Sequence, residues 1–86
     1  MEIKIKIIDP IGLHARPASI VVQQASKFKS NIKLIANGKE ANLKSIMSIM
    51  ALGVKTNTEI TIIADGNDAK EALEKIKKTM QENKLI

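Results

Sequence analysis

From Glu2 to Ile7 charged and apolar residues alternate without exception: Glu2, Ile3, Lys4, Ile5, Lys6, Ile7. A two-residue period gives a strand with one face in the core and one in water. The period then changes. Ala18, Val21, Val22, Ala25 and Phe28 follow the i, i+3, i+4, i+7 spacing, which lines them up on one face of a helix. Between the two patterns, Asp9-Pro10 and Gly12 break the chain into a loop. Pro17 is expected to open the helix, where the missing N–H of proline costs nothing.

The same switch recurs downstream. Ile32, Leu34 and Ala36 alternate again, and Asn37-Gly38 is a strong hairpin signal because a type I′ turn needs positive φ at both central residues. The returning strand covers residues 39–42. A short, mostly apolar helix is predicted over about residues 45–52, ended by Gly53. Asn57 marks a turn before a fourth strand at residues 59–64. Gly66-Asn67-Asp68 announces the last helix, with Asp68 and Glu71 at capping-box spacing. Its buried stripe is Ala69, Ala72, Leu73, Ile76 and Met80.

The resulting order is βαββαβα, an α+β domain spanning residues 1–86 with its helices on one face of a sheet. The order of elements leaves the strand order open, since a ferredoxin-like domain shares the first six. Phe28 is the only aromatic residue, so the core must be aliphatic, and the absence of cysteine excludes disulfides, thiol catalysis and thiolate metal sites. No stretch approaches the ~18 apolar residues of a membrane span, and the strand-like N-terminus is unlike a signal peptide, so a cytoplasmic location is expected. The net charge of +5 comes from scattered lysines with no row of stacking aromatics. Nucleic-acid binding is therefore not expected, whereas a basic surface suits acidic protein partners.

The one histidine lies in Gly12-Leu13-His14-Ala15-Arg16-Pro17-Ala18, just before the first helix. First-turn amides have no intrahelical partners, so they attract an anion and disfavour a cationic imidazole. An uncharged His14 would keep a lone pair for nucleophilic attack. Arg16 adds a guanidinium that meets phosphate oxygens with paired donors. No second histidine or carboxylate cluster accompanies them, so no metal is expected. The set suits reversible capture of a phosphoryl group.

The segment Gly-Leu-His-Ala-Arg-Pro-Ala closely resembles the active-centre signature of the HPr family, the histidine-containing phosphocarriers of the bacterial phosphoenolpyruvate:sugar phosphotransferase system, of the low-GC Gram-positive or mollicute type. The resemblance covers essentially the whole chain. It implies an open-faced β-sandwich: a four-stranded antiparallel sheet of order 1-4-2-3 with three helices on one face. It also implies that His14 takes a phosphoryl group on Nδ1 from enzyme I, with phosphoenolpyruvate as the source, and passes it to the IIA domains of sugar permeases. Arg16 would assist and Pro17 shape the helix start. Such a chain is a carrier, not a turnover enzyme alone; no bound cofactor, no membrane insertion and a monomeric state are expected.

Ser45 stands at the start of the short helix, where serine is a preferred cap. Ile46, Met47, Ile49, Met50 and Leu52 ring that helix, yet only one side can be buried, so part of the ring should form an exposed apolar patch. The segment from Asn42 to Met50 resembles the regulatory region of HPr proteins from low-GC Gram-positive bacteria, which implies phosphorylation of Ser45 by an HPr kinase/phosphorylase. A docking patch of Ala18, Ser19, Ile46, Met47 and Met50, next to Arg16, is expected. Two positions depart from the family pattern: Ile11, where a small hydroxyl residue is usual, and Ser48, where glycine is often found.

Overall fold

The alternating stretches pair into one antiparallel sheet. In the computed structural model, which describes residues 1–86, the strands are β1 (Glu2–Lys6), β2 (Asn31–Ala36), β3 (Lys39–Asn42) and β4 (Glu59–Asp65). The helices are α1 (Ala15–Ala25), α2 (Ile46–Leu52) and α3 (Ala69–Glu82). The strands lie in the order β1-β4-β2-β3, as the family resemblance implies.

Register decides which side of the sheet is apolar. Ile3 stands opposite Ile62 and Ile5 opposite Ile60, while Leu34 is flanked by Ile62 and Ala41. Directly opposed residues point to the same side, so these and Ile32, Ala36 and Ala64 form one apolar face beneath the helices. Lys4, Lys6, Lys33, Glu40 and Asp65 fall on the opposite, open face. There Lys33 and Glu40 approach to 3.7 Å, both more than half exposed, a pair that adds little stability. Twenty buried residues form a continuous core that includes Ile7, Leu43, Ile49 and Leu85. The stripe expected on α3 is buried in full.

At the hairpin, Asn37 and Gly38 have φ of 53° and 76°, as a type I′ turn requires. Element ends moved by a residue or so. β1 stops at Lys6, but Ile7 remains buried: its N–H donates to the Thr58 carbonyl (2.9 Å) and its carbonyl accepts from Asn57 (2.6 Å). Phe28 lies beyond the end of α1, half-buried against the core.

Two local expectations are corrected. α1 begins at Ala15 with His14 as its N-cap, so Pro17 is the third helical residue and does not open the helix. The energetic reasoning is unchanged, because the third N–H also lacks an intrahelical acceptor. Asp68 is the N-cap of α3 but makes no side-chain cap bond. Its carboxylate instead accepts from the Lys29 amide (2.8 Å), the Ser30 amide (3.0 Å) and the Ser30 hydroxyl. Three donors outbid the one or two that a capping box offers. They tie the end of the α1–β2 connection to the start of α3, and they hold the Asp68 carboxyl below the usual carboxylate range, chiefly through the Ser30 hydroxyl and then the Lys29 amide.

Candidate functional site

The loop between β1 and α1 is fixed by backbone contacts from three directions. The carbonyl of Leu85, near the C-terminus, accepts from Ile8 (2.8 Å) and Asp9 (3.4 Å). Asp9 closes a turn on itself: its carboxylate oxygen Oδ1 accepts from the Ile11 amide (2.9 Å) and its carbonyl from the Gly12 amide (2.9 Å). Leu13, 4% exposed, then anchors in the core and donates its N–H to the Val54 carbonyl (2.9 Å). Gly12 has φ +82°, and any Cβ there would collide with the Val54 carbonyl oxygen and the Lys55 backbone. Only glycine fits both the conformation and the close approach.

This path delivers His14 to the mouth of α1. The backbone of His14 is extended (φ −83°, ψ −175°), and its carbonyl accepts from Ala18 (3.0 Å), the first turn of the helix. Its side chain makes no cap hydrogen bond, and no acidic residue stands in the first turn. The N–H groups of Ala15 and Arg16 therefore have no partner within the helix and no side-chain competitor. The imidazole is about one-third exposed (35%), with Nε2 3.9 Å from Asp9 Oδ1. Arg16 is exposed, and its guanidinium makes no ion pair. A partly exposed histidine, two open amides and an arginine without an ion pair thus stand at one helix end. An incoming anion with several oxygens finds donors there on both the backbone and a side chain.

α2 presents a different arrangement. Ser45 is its N-cap, and Oγ accepts from the Ser48 amide at 3.2 Å. The helix has only Ile49 fully buried, while Met47 is 83% exposed and Ile46 and Met50 are also exposed. The expectation of an uncovered apolar surface is met. One member of the expected docking patch is corrected: Ala18 is completely buried on the core-facing side of α1, so its methyl group is closed to a partner, and Ser19 is half-buried. The helical period places Ala18 on the same face as Val21 and Ala25, so it belongs to the core. Ile11, 72% exposed in the loop three residues before His14, is a large apolar side chain that the periodicity did not assign to any surface.

Asp9 and the Leu85 carbonyl are the site components that sequence reasoning missed. Asp9-Pro10 was legible as a turn, but nothing local says that the Asp9 carboxylate faces the imidazole. No group of three or more His, Cys, Asp or Glu side chains is gathered for a metal, and no helix is long and apolar enough to cross a membrane.

Comparison with known proteins relates this open-faced sandwich, with its histidine at a helix mouth, to proteins of known role. The family model described as "PTS HPr component phosphorylation site" matches residues 1–82. The phosphocarrier protein HPr of Mycoplasma capricolum is 61% identical over 80 residues, covering 93% of this chain and 90% of that protein. A solved mycoplasma histidine-containing phosphocarrier superposes with a TM-score of 0.98 at 57% identity, over 100% of this chain and 98% of the other. Bacillus subtilis Crh, at 46% identity and a TM-score of 0.75 over 100% of this chain and 94% of its own, is described as a swapped dimer. The chain belongs to the HPr family, the phosphocarriers of the phosphotransferase system. It is a carrier component of that system and not an enzyme in its own right.

Proposed function

We propose that this chain accepts a phosphoryl group from phospho-enzyme I on Nδ1 of His14 and delivers it to enzyme IIA domains during phosphoenolpyruvate-dependent sugar uptake. The observation that carries this reading is the uncapped start of α1: His14 is the N-cap and makes no side-chain bond to the first turn, which leaves the Ala15 and Arg16 amides open, and Arg16 makes no ion pair. In the transfer, the lone pair of Nδ1 forms the bond to phosphorus as the donor's bond breaks. The open amides and Arg16 then receive the negative oxygens. Leu13 and Pro17, both buried, keep the ring and helix start in register. The chain works as a cytoplasmic monomer of one domain, residues 1–86, and needs no bound cofactor.

Partners dock on the surface joining the His14 loop to α2, through Arg16, Ser19, Ile46, Met47 and Met50. Methionine side chains adapt to more than one partner, which a relay between enzyme I and several IIA domains requires. Ser45, at the edge of this surface, is the target of an HPr kinase/phosphorylase. A phosphate there adds about −1.5 to −2 charge beside the apolar patch. Ser45→Asp is expected to slow transfer from enzyme I while leaving the melting temperature close to wild type; unchanged transfer rates would remove the regulatory reading.

The decisive experiment is incubation with phosphoenolpyruvate, Mg²⁺ and enzyme I, followed by mass spectrometry. One added phosphoryl group on His14, acid-labile and base-stable, is expected, and His14→Ala should take up none. Labelling that survives His14→Ala would refute the assignment.

A further inference from the structure

The Asp9 carboxylate is the one carboxylate close to the His14 ring. It lies 3.9 Å from Nε2, and no other carboxylate comes within 4.0 Å of either ring nitrogen. We infer that Asp9 is a positioning residue for His14: it holds the imidazole proton on Nε2 and so leaves the lone pair on Nδ1. This rests on His14 as the phosphoryl acceptor and adds the side chain that selects its acceptor atom.

The structure keeps Asp9 from swinging away. Its N–H is tied to Leu85, its carbonyl to Gly12, and Oδ1 itself to the Ile11 amide. The side chain is only one-fifth exposed (20%), so its field reaches the ring without full screening by water. A neutral imidazole has one N–H, and the tautomer that aims this dipole at a fixed carboxylate is the favoured one. At 3.9 Å the contact is longer than a direct hydrogen bond, so Asp9 acts by charge–dipole attraction.

The same charge helps during transfer. Nδ1 donates its electron pair to phosphorus, the bond between phosphorus and the donor breaks, and its electrons leave with the donor. Nε2 keeps its proton throughout, and the ring acquires positive character as the new bond forms. A carboxylate on the Nε2 side stabilises that character.

Imidazole ¹⁵N spectra of wild type, Asp9→Asn and Asp9→Ser test this, recorded at about pH 9, above the ordinary imidazole range. Both substitutions keep an oxygen that can accept from the Ile11 amide while removing the charge. Wild type should show a protonated Nε2 and an unprotonated Nδ1; in both variants the two shifts should move toward each other. Initial rates of labelling by enzyme I should fall about three- to tenfold, with one phosphoryl group per chain still reached at long times. A wild-type ring protonated on Nδ1 overturns the inference without any variant, and so do ¹⁵N shifts that stay unchanged in both. If wild type takes up no phosphoryl group on His14, the functional reading fails instead, and the tautomer data still decide whether Asp9 orients the ring.

Discussion

α1 and α2 begin with the same backbone device and leave it in opposite states. Both N-caps are extended, His14 at φ −83° and Ser45 at φ −125°. Ser45 closes its cap, with Oγ accepting from the Ser48 amide. His14 leaves its cap open, with no side-chain bond to the first turn. A closed cap spends its amide inside the protein, whereas an open one keeps its amides for a ligand. The difference separates a helix start whose amide is satisfied within the protein from one whose amides stay open.

Four substitutions sharpen or break that contrast. The largest effect is expected on the path into the open cap. Gly12→Ala must place a Cβ against the Val54–Lys55 backbone at positive φ, and should cost about 2–3 kcal/mol in chemical denaturation. A loss below about 0.5 kcal/mol would mean that the loop has room to shift and that the site is less fixed than drawn. Next comes the pair of caps themselves. Ser45→Ala should destabilise by about 1 kcal/mol, the usual value of a serine cap, and His14→Ala by less than about 0.5 kcal/mol. Equal losses at the two positions would erase the distinction.

The smallest effect concerns Asp68, a cap residue that serves neither helix start but joins two segments. Its folded carboxyl titrates lower than in the unfolded chain because the Ser30 hydroxyl and the Lys29 and Ser30 amides favour the charged form. The stabilisation is therefore present above the ordinary carboxyl range and is lost as pH falls through the lowered folded value. Melting temperature measured from neutral to acid pH should drop less steeply in Asp68→Asn than in wild type. Parallel acid limbs would mean that other carboxylates dominate.

Much of the site was legible because its components are neighbours in the chain. The histidine, the arginine two residues on and the proline all lie in one helical turn, and the serine cap of α2 is read from one residue and its successor. Ala18 shows where local reading runs short. The same residue was placed in the core by its period and on the docking surface by its proximity to His14, and burial settles it in the core.

The sequence by itself determined the succession of strands and helices, the hairpin at Asn37-Gly38, the buried stripe of α3 and the placing of His14 at a helix mouth. Each depends on the period or conformational preference of residues a few positions apart. Tertiary structure decided what distant residues do to each other. It turned the Asp68 carboxylate from its own helix to Ser30, 38 residues away, fastened the loop before His14 to Leu85, and brought the Val54 carbonyl against Gly12. Neither hydrogen bonds nor steric contacts of this kind leave a local periodicity, because the chain meets these partners only once the sheet and helices have packed.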